Sequence, residues 1–488
     1  MPRMQPHAGS CNYVAMLLVA LGLVAGPLSR PLRAQDAIQP LWTRDSLYSS
    51  ILGERRFLRI SLPAFYSAPW NAPERFPVLI VLDASAEIPL TAIAAIARSL
   101  AGTDAPAMPP LIIVGVETPY PSRFRDMTPP PVRPFVPPGG FPTPGGAPAF
   151  LRFLSEELRP YIAARYRTQS TTILVGHSLS GSFAAWAFGH APTFLAGAIA
   201  LSPTPGWMTE DTLAGRQVLD GIAARATPGR LFLASGASER YVGNATRDFA
   251  SALSVRKIAG LSFEHLRLPE AGHTQTGGPR GTMPGLQFIF RPVSLSGYQM
   301  EYEDGEDPLS KYSAMFDSTR QAYLLGARQL GLPERLPGIF LIVQSQILAN
   351  TVLAPLQLRL CQEIVGSYPT LWNGYDCAGD ALGRMGRASE ATESYRRASE
   401  AARNVGDSAT AERLARKAEP RRDTPDGVLR DDHAALGARR DAMLGPWLTA
   451  SGMPTLTPVR ANKPLQADSR AKVHALRALF LNAAAAER

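Results

Sequence analysis

The chain has 488 residues, a formal net charge of +9, 19% charged residues and three cysteines, a length that suggests two or three domains and allows a sizeable core. No basic stretch is interleaved with aromatic residues, which excludes a nucleic-acid groove. The histidines lack H-E-x-x-H spacing, the cysteines lack a C-x-x-C pair and the glycine pairs Gly139-Gly140 and Gly145-Gly146 lack phosphate-loop context, so neither metal nor cofactor is expected.

Residues 1–34 read as a secretory signal: a polar start with Arg3 and His7, an apolar run from Val14 to Ala25, and Leu32-Arg33-Ala34 before Gln35. About twelve apolar residues fall short of the roughly twenty of a spanning helix. The expectation is a secreted or periplasmic protein, cleaved after Ala34, with no stable membrane anchor. Cleavage removes Arg3, Arg30 and Arg33 and no acidic residue, which leaves a modest +6. It also leaves only Cys361 and Cys377, either a disulfide in an oxidising compartment or two buried thiols.

From residue 45 to 295 short apolar runs alternate with helical patterns, the signature of a doubly wound α/β domain. Strands are expected at Phe57 to Leu62, Val78 to Leu82, Leu111 to Val116, Thr172 to Val175, Ala198 to Leu201, Leu231 to Ala234 and Ser262 to Leu268. Helices are expected around Leu90 to Leu100, Ala149 to Arg165, Gly181 to Gly189 and Ala245 to Lys257. Pro129 to Pro148 holds nine prolines and four glycines and must be a long loop.

Beyond Phe290 the pattern turns all-helical. In the region 320–405, Tyr375, Gly379, Leu382, Ala391, Tyr395 and Ala398 fit a tetratricopeptide-like unit of about 34 residues from Trp372 to Val405. A weaker unit precedes it, with Gln357 where a small residue is expected. Two such units are few for a free array, so they are expected to pack on the α/β domain or on another chain, by self-association or with a protein partner. An ordinary helical hairpin is the alternative. Residues 406–488 form a helical or partly disordered tail without a legible motif.

The chemistry centres on Gly176-His177-Ser178-Leu179-Ser180-Gly181, set between the apolar run Thr171 to Val175 and a helix-forming run. Strand, sharp turn with serine, then helix is the context of a nucleophile elbow. Ser180 stands where strict G-x-S-x-G has its second glycine, with Gly181 directly after. Serine needs a base, and the base needs an orienting acid. In the order serine, acid, histidine, His273 follows the last strand in the turn Pro269 to His273. His190 comes too early, and His265 lies inside a strand. Among the intervening acids Glu239 stands just past the strand Leu231 to Ala234, whereas Asp248 reads as an exposed helix residue. The N–H of Leu179 and one from the loop after Val78 to Leu82, at Ser85 or Ala84, would form the oxyanion hole.

These residues resemble the putative esterase family of α/β-hydrolases, which includes esterase D, enterochelin-type siderophore esterases and the mycolyltransferases. The resemblance rests on an ordered series over about half the chain. It comprises Ser50 to Arg56 with Leu62-Pro63, Phe76 to Asp83, Arg123 to Pro129, Gly145 to Leu151, the Ser178 elbow, Ala200-Leu201-Ser202-Pro203 and Glu270 to His273. It implies an α/β-hydrolase sheet followed by an all-α tetratricopeptide-like region, as in some bacterial members. It also implies ester hydrolysis by Ser178, His273 and Glu239, with Ser85 as the second oxyanion donor. Trp207, in Thr204-Pro205-Gly206-Trp207 after the Ser-Pro step, and Arg125 are candidate substrate contacts, although Arg125 and Asp126 also read as a scaffolding pair. The expected substrate is a small-molecule or glycan ester, and acyl transfer stays open beside hydrolysis. A non-catalytic hydrolase-like scaffold that recruits a partner through its helices is the alternative.

Overall fold

The computed structural model describes residues 41–419 apart from 69–70, 72–73, 86, 103–104, 131–143, 209–211 and 299–306, and not the side chains of 87–89 and 207. The expected signal segment, most of the proline-rich loop and the tail beyond 419 therefore lie outside the described residues.

Eight strands form one sheet: β1 Thr43–Ser49, β2 Glu54–Ser61, β3 Phe76–Val81, β4 Ile112–Val116, β5 Thr168–His177, β6 Gly197–Leu201, β7 Gly229–Gly236 and β8 Leu261–Leu268. Their order is β1-β2-β4-β3-β5-β6-β7-β8. The β1–β2 and β2–β4 pairs are antiparallel and all the others parallel. Parallel strands covered on both faces become continuous apolar runs, and β3, β4 and β6 are buried at every position.

The seven expected strands are present, each shifted by at most a few residues, and β1 is an addition. Its sequence, Thr-Arg-Asp-Ser-Leu-Tyr-Ser, has no apolar run because it lies half-exposed at the edge. Tertiary contacts supply what propensity lacks: Glu157 accepts from the N–H of Ser50 (2.9 Å) and Ile51 (3.2 Å) and from the Ser49 hydroxyl, clamping the β1–β2 turn. Glu157 belongs to a π-helical turn, Phe153–Leu158, between the helical segments Ala147–Arg152 and Arg159–Arg165. The expected helix over 149–165 is thus continuous but widened in the middle.

Two of the stretches singled out in the sequence meet in a partly buried ionic cluster. Arg56 pairs with Glu54 and Asp126, and Arg125 pairs with Asp126 and Glu54. Burial of Asp126 outweighs both arginines and pushes its carboxyl above the usual range. The cluster fastens Ser122–Met127 to β2, so it is scaffold.

Helices Pro308–Leu330, Gly338–Ile347, Ala354–Ser367, Trp372–Arg384, Ala388–Asn404 and Ser408–Ala418 follow, beginning ahead of residue 320. Asp307 caps the first, accepting from the N–H of Leu309 and Ser310, and Pro308 suits its first turn. The helical pair Trp372–Arg384 and Ala388–Asn404 occupies the span read as one repeat. The Tyr395 ring lies against Gly379, and its hydroxyl donates to Asp380 (2.8 Å). Gln357 is buried and satisfied, donating to the Ser345 carbonyl (2.9 Å) and accepting from Arg384 (2.8 Å). Cys361 and Cys377 form a disulfide that joins Ala354–Ser367 to Trp372–Arg384.

The helical region packs against the amino ends of the parallel strands. Thr171 donates to the carbonyls of Leu330 or Gly331 (3.1 and 2.9 Å), Leu295 N–H donates to Pro106 (2.8 Å), and Arg335 faces Glu74 at 3.9 Å. Among the described residues no helix is long and apolar enough to cross a membrane.

Candidate active site

The carboxyl ends of β3, β5, β6, β7 and β8 gather Asp83, Ser178, Ser202, Glu239 and His273 along one edge, the usual place for sites on open α/β sheets. Ser178 ends β5 with φ 63° and ψ −122° and starts the buried helix Leu179–His190. A non-glycine residue held there stores about 1–3 kcal/mol of strain. The tightness of the turn is visible at Gly176, where a Cβ would stand 2.0 Å from the Ser180 carbonyl oxygen. Strain and crowding together lift the Ser178 side chain out of the strand–helix corner.

His273 opens the short helix His273–Thr276. Its Nδ1 lies 2.5 Å from Glu239 Oε1. The other Glu239 oxygen accepts from Ser202 Oγ (2.6 Å) and Gly236 N–H (2.7 Å), with Thr276 Oγ1 at 3.3 Å. Burial alone would raise the Glu239 carboxyl, but these donors and His273 hold it below the usual carboxylate range. A carboxylate fixed on Nδ1 leaves Nε2 of the ring to face the reaction, the arrangement an orienting acid must produce. At Gly236 a Cβ would come 2.2 Å from the Ala271 carbonyl oxygen, so only glycine lets the acid loop and the histidine loop approach this closely.

His177, beside Ser178, donates from Nε2 to the His273 carbonyl (2.8 Å), with the two rings 4.6 Å apart. Burial, reinforced by neighbouring His273, lowers its pKa and keeps it neutral near pH 7. The structure thus brings Glu239 and His273 into contact and ties the His273 main chain to the elbow. It forms no hydrogen bond between Ser178 Oγ and His273, a contact that commonly tightens only with substrate bound.

The N–H groups of Leu179 and Ser85 have no backbone acceptor among the described residues, whereas Ala84 N–H donates to Val116 (3.1 Å). Of the two residues considered after β3, only Ser85 has an N–H without a backbone acceptor among the described residues. Arg59 fastens that residue from β2, donating to the Ser85 carbonyl (3.1 Å) and to Glu117 (2.8 Å).

Arg125, considered as a substrate contact, is spent on Asp126 (2.8 Å) and Glu54 (2.7 Å), which is the scaffolding alternative. Arg123 reaches the site edge instead and grips Asp83 with two hydrogen bonds (2.7 and 2.8 Å). Trp207 closes the short helix Pro205–Trp207, and its side chain lies outside the described residues. His265 faces Ser235 at 3.3 Å, His190 lies over Trp186 at the far end of the elbow helix, and Asp248 is exposed and paired with Arg247.

Sequence reasoning assigned no role to Asp83, Arg59, Arg123, Thr118, Ser202 or His177. Asp83 and Ser202 lie in stretches already singled out. The departure at Ser180 from the strict elbow pattern was the one visible sign of an added contact.

Residues 49–261 match a family model described as "Putative esterase", a span that contains Ser178 and Glu239 and stops before His273. The ferri-bacillibactin esterase BesA of Bacillus subtilis (strain 168) is 27% identical over 215 residues, 41% of this chain and 74% of that protein. An IroE-like serine hydrolase from Shewanella oneidensis superposes with a TM-score of 0.52 at 20% identity, over 71% of this chain and 99% of that one. Family match and fold likeness agree: residues 49–261 match the esterase family model, and the α/β region has the α/β-hydrolase fold, with a helical region after it.

Proposed function

We propose that this protein is a serine carboxylic-ester hydrolase working through an acyl-enzyme on Ser178. The observation that carries the reading is the 2.5 Å contact of Glu239 with His273 Nδ1, at the same sheet edge as a serine on a strained elbow.

In the proposed reaction Ser178 Oγ attacks the ester carbonyl carbon while its proton passes to His273 Nε2. Glu239 holds the ring tautomer and stabilises the imidazolium that forms. The N–H groups of Leu179 and Ser85 receive the negative charge that develops on the carbonyl oxygen. Collapse breaks the bond to the alcohol oxygen, which leaves with the proton from Nε2. Water then attacks the acyl carbon, giving its proton to Nε2, and the acid departs as Ser178 recovers that proton.

The substrate side of the proposal is a small-molecule ester, with siderophore-type esters as the first natural class to try because the curated relative is named for one. An acyltransferase would be recognised by esters of an added alcohol among the products. Export through residues 1–34 belongs to the same proposal and suits the Cys361–Cys377 disulfide. It requires a mature amino terminus at Gln35, read by terminal sequencing.

The test is hydrolysis of short and medium p-nitrophenyl acyl esters, and of a siderophore-type ester, by the wild type and by Ser178→Ala. Loss on the order of 10⁴-fold or more is expected in a folded variant. Equal rates for the two proteins on every ester would sink the proposal.

A further inference from the structure

Two oxyanion donors on different loops are useful only if their spacing is held to a fraction of an ångström. Leu179 rides on the elbow after β5, and Ser85 on the loop after β3. One hydrogen bond joins these loops directly beside both donors: Ser180 Oγ to Asp83 Oδ2, at 2.7 Å. Ser180 directly follows Leu179, and Asp83 stands two residues before Ser85.

The geometry of this contact is strongly determined. Ser180 is fully buried, and its oxygen accepts from the His177 N–H (2.8 Å). Its single proton is shared between two possible acceptors, Asp83 and the His177 carbonyl (2.8 Å), and an ionised carboxylate is the stronger one. Asp83 itself has φ 58°, so its backbone is bent into the left-handed region. Its carboxylate also accepts from Thr118 Oγ1 (2.5 Å) and from Arg123 Nε and Nη2 (2.7 and 2.8 Å). Burial would raise this carboxyl, but Arg123, Thr118 and Ser180 together hold it below the usual range, so it is charged near neutral pH.

We propose that Ser180 and Asp83 are positioning residues that brace the two halves of the oxyanion hole against each other, with Arg123 and Thr118 anchoring the brace. This rests on the serine-esterase reading above. It gives the serine at position 180 a task that the glycine of the strict elbow pattern has no side chain to perform. The brace touches neither nucleophile nor base, so its loss acts on the transition state and spares ground-state binding.

Ser180→Ala removes the brace together with the side-chain acceptor of the His177 N–H. The expected result is a fall in kcat of about 10- to 100-fold with KM within about twofold of wild type. Affinity for a trifluoromethyl ketone, which mimics the tetrahedral state, should weaken by the same factor as kcat/KM. A fluorophosphonate probe should still label Ser178. Should the alanine variant not fold, Ser180→Gly, the residue of the strict pattern, takes its place with the same expectation. Wild-type kcat and ketone affinity in a folded variant would overturn the brace and leave the esterase intact. Wild-type protein that neither hydrolyses esters nor takes the probe would instead overturn the parent reading.

Discussion

Glu239 is the residue on which the site depends most, because it is held by three donors besides His273 and is thereby committed to one orientation. Glu239→Gln keeps the shape and removes the charge that fixes the His273 tautomer. Esterase kcat should drop on the order of 10³- to 10⁴-fold with KM little changed, as steady-state kinetics on p-nitrophenyl esters would reveal. Asp83 offers a test in pH. Its carboxyl lies below the usual range in the folded protein, so ionisation favours folding. That stabilisation is complete above the ordinary carboxylate pKa and is lost as pH falls through the depressed one. Asp83→Asn should therefore be less stable than wild type near neutrality, with the gap closing in acid. Urea melts across a pH series would show this, and a gap independent of pH would refute it.

Among the elements, the turn from β5 into Leu179–His190 has the least tolerance. Gly176→Ala would place a Cβ 2.0 Å from the Ser180 carbonyl oxygen and 2.3 Å from its carbon. Both are backbone atoms of a packed helix, so no side-chain movement relieves the clash. A loss of about 3 kcal/mol or more is expected by thermal or denaturant unfolding. The helices after the sheet carry their own covalent constraint. Cys361 and Cys377 are 16 residues apart, and a closed loop of that size stabilises by about 3 kcal/mol in the chain-entropy account. Cys361→Ala with Cys377→Ala should lower the denaturation midpoint by a corresponding amount and leave ester hydrolysis unchanged.

At the scale of the whole molecule the candidate site and the helical region lie at opposite ends of the same strands. Thr171 makes its contacts with Leu330 and Gly331 from β5, whose other end carries Ser178. The helices at this joint therefore act as part of the fold and do not cover the candidate site. Thr171→Val removes the one hydroxyl proton that the Leu330 and Gly331 carbonyls share at this joint, at a cost of about 1–3 kcal/mol. Its melting temperature should fall while kcat and KM stay at wild-type values. A changed kcat at full stability would show that the joint communicates with the site.

The seven apolar strands, the helical region and the segments that bring Ser178, Glu239 and His273 to one sheet edge were legible in the sequence because each depends on local order. Parallel strands announce themselves as apolar runs, and an elbow by small residues around a serine. The candidate acid and base follow strand ends, so chain order ranks them. What depends on partners distant in the chain was not legible. β1 has no apolar run and exists by pairing with β2 under the clamp of Glu157. That the Ala84 N–H is taken by Val116 could be known only from the fold, and this favours Ser85 as the proposed donor. Arg125 and Arg123 are two residues apart and chemically alike, yet one is spent on buried Asp126 and the other on Asp83 at the site. Disulfide pairing of Cys361 and Cys377 likewise waited on the packing of two helices. Sequence pattern determines which segments become elements and which residue types sit at their ends. Only the tertiary structure decides which hydrogen-bonding group each polar side chain meets, because that requires chain segments far apart in sequence to come within about 3 Å.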